Sequence, residues 1–163
     1  MPGQAVLHGT VRPEWIDLNE HMNVAYYVLA FDQAVDRTWE RIGITGDYVR
    51  DKQASTFAVD CHVTWQRELK RDDPYVITTQ VLAYDTKRIH QFMRMFHADA
   101  GFVAASCEWL NLHVDLVRRR VAPWPEAVLA SLADFTGAQA PSPLPDEVCG
   151  RIRVRQPLFR LGD

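Results

Sequence analysis

The chain has 163 residues, of which 47% are hydrophobic and 24% are charged, and its formal net charge is −3. This is an ordinary globular composition, and we expect one domain over residues 1–163. The weak negative charge argues against a nucleic-acid partner. The N-terminus lacks a basic segment followed by an apolar run, and no stretch reaches the ~18 apolar residues that span a membrane. These features predict a cytoplasmic protein without a membrane partner.

The cysteines, Cys61, Cys107 and Cys149, are widely spaced, odd in number and form no CxxC pair. This pattern predicts free thiols in a reducing compartment rather than a disulfide framework.

The predicted elements begin with a strand over residues 5–12, which Pro13 ends. Apolar residues then recur with helical spacing over residues 23–42, where Asn23 is placed to cap the helix and Gly43 to stop it. A helix of this length would span about 30 Å. That is long for a chain of this size. The apolar stripe along the helix predicts that it lies against a sheet.

Four further strands are predicted from alternating apolar residues and from β-branched residues. The first runs over residues 56–65 and should bury its odd-numbered side chains from Phe57 to Trp65. The other three are predicted over 75–84, 89–98 and 102–114. The turns between these three are short, which is typical of antiparallel neighbours.

These elements predict an α+β fold in which an antiparallel β-sheet wraps around one long central α-helix. The core should cover about residues 5–120. The remainder, 121–163, should form a shorter helix over 124–135 and an extended tail from Gly137 that includes Pro141.

The segment DLNEHMN, residues 17–23, carries the chemistry that the sequence indicates. It places the Asp17 carboxylate, the His21 imidazole and the amides of Asn19 and Asn23 directly before a helix start, where unpaired backbone N–H groups can stabilise an oxyanion. A carboxylate there can activate water or attack directly, as hydrolysis of an activated acyl group requires. The alternatives are that these residues only cap the helix and form a turn, or that they bind a metal. No metal-binding spacing is present, and no metal site is predicted.

The run DLNEHMNVAYY, followed by a long helix, resembles the hotdog thioesterase superfamily, in particular its acyl-ACP and 4-hydroxybenzoyl-CoA thioesterase-like branches. The D-x-N-x-H-x-N segment of plant acyl-ACP thioesterases is matched by Asp17, Asn19, His21 and Asn23. Those enzymes carry an Arg-Glu-Cys run after the next strand. Here the run is Arg67, Glu68 and Leu69, so the carboxylate matches and a mechanism that needs the thiol is excluded.

The resemblance implies a hotdog fold, an acyl-CoA thioester as substrate, no further cofactor, and a homodimer or homotetramer with active sites at the subunit interface. The stretches RPEWIDLNEHMN, TTQVLAYDTKRIH and NLHVD also resemble thioesterase domains associated with carnitine degradation, which are similar to betainyl-CoA thioesterases. A trimethylammonium acyl group would suit an aromatic cage. The candidates are Trp15, Tyr26, Tyr27, Trp65 and Trp109, although aromatic residues in helices and strands usually belong to the core.

From the residues and the resemblance together we predict the following roles. Asp17 is the general base or nucleophile, Asn19 and His21 orient water or carbonyl, and Glu68 is a second catalytic carboxylate. The substrate-binding candidates are Asn23, Val24, Tyr26 and Tyr27, with backbone N–H groups near Asn23 and Val24 binding the oxyanion. The candidates for CoA phosphate binding are Arg67, Arg71 and Arg88, although basic residues at the ends of elements are usually solvated.

Two other functions remain open at this point. Hotdog enoyl-CoA hydratases use a D-x-N-P-x-H motif, but this chain lacks the proline, and its histidine is one residue nearer the aspartate. A non-catalytic hotdog protein that binds acyl-CoA is the other alternative, against which the retained Asp, His and Glu argue.

Overall fold

The computed structural model describes residues 1–139 and 143–162. Its elements in chain order are β1 (Gln4–Thr10), a 3-10 turn (Pro13–Trp15), α1 (Val24–Arg41), α2 (Gly46–Lys52), β2 (Ala54–Trp65), β3 (Pro74–Tyr84), β4 (Arg88–His97), β5 (Val103–Asp115), β6 (Arg120–Val121), α3 (Glu126–Gln139) and β7 (Phe159–Arg160). The strands form one antiparallel sheet in the order β1-β3-β4-β5-β2, with β6 beside β5 and β7 beside β3. The predicted meander of β3, β4 and β5 is confirmed.

Helix α1 begins and ends where the sequence predicted. The Asn23 side chain accepts a hydrogen bond from the Ala25 N–H at 3.0 Å and caps the first turn. Gly43, just beyond the helix, has a φ of +87°, a conformation that glycine adopts without strain. The buried face of the helix includes Phe31 and Val35, which pack in the main hydrophobic core.

The central strands β3 to β5 are buried on both faces, although only one face meets α1. On the inner face, Ile77, Met93 and Cys107 share the main core with the helix. On the outer face, Leu82 and Phe92 form a smaller core with Leu161 from the C-terminal segment. Helix α1 therefore buries one face of these three strands, and the C-terminal segment buries the other.

Strand β2 departs from the prediction because it is the edge of the sheet. Phe57, Val59 and Trp65 are 38%, 52% and 46% exposed rather than buried. A bulge between Ala58 and Asp60 also breaks the alternation. Periodicity correctly predicted a strand, but no element within residues 1–139 and 143–162 covers these side chains.

The C-terminal region also differs from the prediction. Helix α3 continues to Gln139, so the extended tail does not begin at Gly137. Pro141 lies outside the described residues. Residues 143–162 cross the outer face of the sheet, where the backbone N–H groups of Leu158 and Leu161 donate to the carbonyls of Tyr84 and Leu82 at 2.8 Å.

Four short elements, the 3-10 turn, α2, β6 and β7, were not predicted, because pieces this short show no clear hydrophobic period. Among the described residues, none of the helices combines the length and the apolar character needed to cross a membrane.

Candidate active site

The segment predicted to carry the chemistry forms a tight loop between β1 and α1. An isolated antiparallel bridge joins Ile16 to Met22 and closes the base of the loop. Within it, the Asp17 N–H donates to the His21 carbonyl, and the Glu20 N–H donates to the Asp17 carbonyl, both at 3.1 Å. Glu20 has a φ of +63°, which lets the chain reverse within a few residues. The loop therefore brings Asp17 and His21 to the same side.

Asp17 and His21 form the polar centre of the loop. The His21 Nδ1 atom lies 3.8 Å from the Asp17 Oδ1 atom, and the two side chains are 31% and 22% exposed. The same Oδ1 atom accepts the Asn19 N–H at 2.8 Å, so Asp17 does form the turn that the simpler interpretation proposed. That turn orients the carboxylate without burying it, and the carboxylate remains accessible to a substrate or a water molecule.

The backbone N–H groups at the start of α1 differ in whether they already donate a hydrogen bond. The Asn23 N–H donates to the Trp15 carbonyl at 2.9 Å, and the Ala25 N–H donates to the Asn23 side chain. Within residues 1–139 and 143–162, no acceptor is found for the Val24 N–H. The predicted oxyanion donors near Asn23 and Val24 thus reduce to the Val24 N–H.

Leu69 fixes the start of α1 to the loop that follows β2. Its carbonyl accepts the Met22 N–H at 2.7 Å, and its N–H donates to the Tyr27 hydroxyl at 2.9 Å. Leu69 is fully buried, so the residue that replaces the family cysteine has a packing role. Sequence reasoning missed this anchor, because only the fold brings residues 22 and 69 together.

Tyr27 belongs to that anchor and is buried. It is 3% exposed, and burial raises the pKa of its hydroxyl, with further increases from the charges of Glu68 and Asp73. In a single chain Tyr27 therefore has almost no surface for the substrate contact that was predicted, whereas Tyr26 is half-buried beside the loop.

Glu68 lies near the helix start but is not joined to Asp17. Its carboxylate is exposed and lies 3.5 Å from the Lys70 ammonium group. Among the described residues no ion pair or hydrogen bond links Glu68 to Asp17 or His21. Its role as a second catalytic carboxylate stays a prediction.

Aromatic rings form a floor beneath the loop. Trp15 stacks on Tyr26 with ring centroids 5.3 Å apart, and it also contacts Tyr75 at 6.5 Å. The Tyr75 ring occupies the space that a side chain on Gly9, its register partner in β1, would need. Because the Trp15 carbonyl accepts the Asn23 N–H, this floor supports the helix start directly.

The five aromatic residues considered for a cage do not meet in one chain. Trp15, Tyr26 and Tyr27 lie near the helix start, and Trp65 is exposed at the end of β2. Trp109 is buried in the main core, four positions along β5 from the residue that faces Trp65. A cage within one chain could use only the first group, in which Trp15 and Tyr27 are buried and Tyr26 is half-buried.

The three arginine candidates fall into two places. Arg67 and Arg71 belong to the loop that carries Leu69, near the helix start, and the Arg67 guanidinium lies 3.9 Å from the Phe102 ring centroid. Arg88 follows the β3–β4 turn and pairs with Asp85 at 2.8 Å. Strand β3 separates that turn from the loop by roughly 33 Å at 3.3 Å per residue. Arg88 therefore lies at the opposite end of β3 from the loop that carries Arg67 and Arg71.

Comparison with known proteins agrees with the fold. Residues 11–132 match the thioesterase-like superfamily. A betainyl-CoA thioesterase of Pseudomonas aeruginosa is 33% identical over 142 residues, which cover 87% of this chain and 89% of that protein. An L-carnitine dehydrogenase/betainyl-CoA thioesterase of a Rhizobium species is also 33% identical over 86% of this chain, which spans only 28% of that longer protein.

A solved structure of a Staphylococcus aureus protein in complex with CoA is similar at a TM-score of 0.85 and 26% identity, over 94% of this chain and 98% of that one. The sheet order and the long helix agree with these similarities. The chain therefore belongs to the thioesterase-like superfamily, has the hotdog fold and is a thioester hydrolase.

Proposed function

We propose that this thioesterase hydrolyses acyl-CoA thioesters with short cationic acyl groups, betainyl-CoA above all, to the free acid and CoA. The observation that carries the proposal is the Asp17–His21 pair, partly exposed at 3.8 Å, beside the available Val24 N–H. The similarity to the betainyl-CoA thioesterase of Pseudomonas aeruginosa supports the acyl group. The similarity to a protein solved with CoA supports the thiol portion of the substrate.

In the proposed reaction, the thioester oxygen accepts a hydrogen bond from the Val24 N–H, and the positive end of α1 stabilises the developing negative charge. Asp17 takes a proton from water as the water oxygen attacks the carbonyl carbon. The C–S bond then breaks, and the CoA thiolate leaves and is protonated. His21 and Asn19 hold the Asp17 carboxylate and the water in position.

If Asp17 instead attacks directly, a mixed anhydride forms, and water then cleaves it. Single turnover in ¹⁸O-labelled water detects the anhydride route when water attacks the Asp17 carbon of the anhydride. A general base sends the label to the product acid, whereas hydrolysis of the anhydride at the Asp17 carbon leaves label in the carboxylate of the enzyme.

The phosphates of CoA are proposed to contact Arg67 and Arg71. Both lie in the loop that Leu69 fixes to the helix start, so they are close to the reacting carbonyl. Arg71→Ala should raise KM for the thioester several-fold, and more strongly at low salt. Arg88→Ala is the matched control, since Arg88 lies at the opposite end of β3 and pairs with Asp85.

A homodimer is proposed to complete the site through β2. Edge strands with exposed apolar side chains pair readily with another strand, and β2 is a strand of 12 residues whose Phe57, Val59 and Trp65 are exposed. The outer face of the central strands is already covered by residues 143–162, with Phe92 only 2% exposed. This cover favours a dimer over a tetramer built on that face.

The assembly is tested by light scattering after size-exclusion chromatography. The wild type should have twice the mass of the 18.7 kDa chain, and Val59→Lys should be monomeric. Leu158→Lys is the matched control, because Leu158 is 59% exposed and lies beside the end of β3, which β4 and β5 separate from β2. A monomeric wild type would contradict the proposal.

The function itself is tested with a panel of betainyl-CoA, medium-chain, aromatic and crotonyl-CoA thioesters, followed by release of free thiol with a thiol dye. We expect the highest kcat/KM for betainyl-CoA. Preference for an uncharged acyl group would reject the cationic substrate but keep the thioesterase. Hydration of crotonyl-CoA would support the hydratase alternative, and binding without turnover would support a non-catalytic acyl-CoA-binding protein.

A further inference from the structure

The outer face of the sheet carries a second cluster of polar side chains, separate from the candidate active site. At its centre is Glu108 on β5, a carboxylate that is only 1% exposed. Directly opposite it in the register, on the edge strand β2, is His62. Directly opposite residues project from the same face, so both side chains point away from α1. Cys149, in the segment that crosses this face, completes the cluster.

The three side chains present a nitrogen, an oxygen and a sulfur atom to a common point. The ligand atoms of His62, Glu108 and Cys149 all lie within 4.8 Å of one another. Tetrahedral zinc, with bonds of about 2.0–2.3 Å, needs ligand atoms about 3.5 Å apart. The ligand atoms therefore have to approach one another by about 1 Å to bind zinc. The His62 side chain is 41% exposed and Cys149 lies in a loop, so these two can make that movement.

Glu108 is held as a metal-binding carboxylate would be. Its Oε2 atom is 3.0 Å from the His90 Nε2 atom, and its Oε1 atom accepts the Cys149 N–H at 2.5 Å. Hydrogen bonds of this kind orient ligating carboxylates in metal sites. The same Oε1 atom lies 4.0 Å from the His62 Nδ1 atom. His90 is itself buried, at 4% exposed, so its hydrogen bond holds the carboxylate in one orientation.

The chemistry of the donor set favours zinc. Thiolate and imidazole ligands together suit Zn²⁺, whereas Mg²⁺ and Ca²⁺ prefer oxygen alone. A Cys149 thiolate and the Glu108 carboxylate would also neutralise the two charges of the ion in a buried position.

We infer that His62, Glu108 and Cys149 form a zinc site that fastens the C-terminal segment to the outer face of the sheet, with water as a fourth ligand. The site joins β2 and β5 to the segment 143–162, which the Arg94–Glu147 ion pair and a small apolar core also hold to β4 and β3. It plays no part in thioester hydrolysis, and it stands whether or not the proposed substrate is correct.

Co²⁺ is the probe for this site, because a thiolate ligand gives it a charge-transfer absorption that oxygen and nitrogen ligands lack. Reduced, chelator-treated protein without a histidine tag is titrated with Co²⁺ and then with Zn²⁺. We expect one Co²⁺ per chain with the thiolate band, and displacement by Zn²⁺. The melting temperature of the wild type should rise when Zn²⁺ is added.

Three variants decide the assignment. Cys149→Ser should abolish the thiolate band and the response of the melting temperature to Zn²⁺. His62→Ala should raise the Kd for Co²⁺ at least ten-fold. Cys61→Ser is the matched control, since Cys61 is an exposed thiol outside the cluster, and it should behave as the wild type. A wild type without the band, a band that survives Cys149→Ser, or one that Cys61→Ser abolishes would overturn the inference.

Discussion

Two of the polar clusters in the described part of the chain, one at Asp17 and one at Glu108, differ in how they are built and in how exposed they are. Asp17 and His21 come from one short loop, and their side chains are 22% and 31% exposed. Glu108 is 1% exposed and gathers its partners from other strands and from the C-terminal segment. The local set is therefore accessible to a substrate, whereas the buried set joins parts of the chain that are far apart in sequence.

Replacing the carboxylate of the open cluster should have the largest effect. In Asp17→Asn the new side chain can still accept the Asn19 N–H, so the turn should survive, but a base or nucleophile is lost. We expect kcat/KM to fall by about 10²–10⁴-fold, with an unchanged melting temperature. The measurement is thiol release from the preferred acyl-CoA. Glu20→Gln, in the same loop, should retain wild-type activity, and a wild-type rate in Asp17→Asn would remove Asp17 from the mechanism.

The oxyanion role of the Val24 N–H can be tested by removing that single hydrogen-bond donor. Proline is tolerated at the first helical position, and Asn23 before it is already extended, with φ −63° and ψ 141°. Val24→Pro should therefore fold normally while kcat falls by about 10²–10³-fold. Val24→Ala keeps the N–H and serves as the control. Equal activity of the two variants would show that another donor binds the oxyanion.

The buried cluster should respond in stability instead of turnover. Burial opposes the charge of Glu108, but hydrogen bonds from His90 and Cys149 outweigh it and lower the pKa of this carboxyl group. Glu108→Gln should reduce the free energy of unfolding by about 2 kcal/mol, because a charged acceptor is lost where two donors remain. Urea unfolding in the presence of a chelator measures this loss. Asp60→Asn, exposed on β2, should change little, and a reduced kcat in folded Glu108→Gln would show that the buried cluster also affects turnover.

His113 provides the smallest test, based on pH. Its ring is buried between Tyr48 and Trp124, and burial lowers its pKa below the usual 6.5 despite its hydrogen bond to the Ala122 carbonyl. The unfolded chain therefore takes up the proton more readily than the folded one. The stabilising contribution is present above pH 6.5 and is lost as pH falls through the folded pKa.

Wild-type stability should accordingly decrease more between pH 7.5 and pH 5 than that of His113→Gln, when both are unfolded in urea. The pH profile of kcat should be the same in the two proteins. Parallel stability curves would mean that His113 titrates alike in the folded and unfolded chains.

The sequence predicted the parts of the molecule whose signals are local. The helical period and the cap at Asn23 predicted α1 to within a residue, and the polar loop at 17–23 was identified from its own residues. Periodicity cannot tell an edge strand from a central one, so the exposure of Val59 and Trp65 was not predicted. Leu69 and the cluster at Glu108 were also missed, because their contacts join residues far apart in the chain.

Gly9 shows how far the site depends on residues without polar chemistry. Any side chain there would meet the Tyr75 ring, which contacts Trp15, whose carbonyl in turn holds the Asn23 N–H. A mutational scan would therefore record Gly9→Ala as a loss of activity, although that position touches no reacting group. We therefore expect tolerance to mutation to depend on the packing around Trp15 and Tyr75 as well as on the polar residues Asp17 and His21.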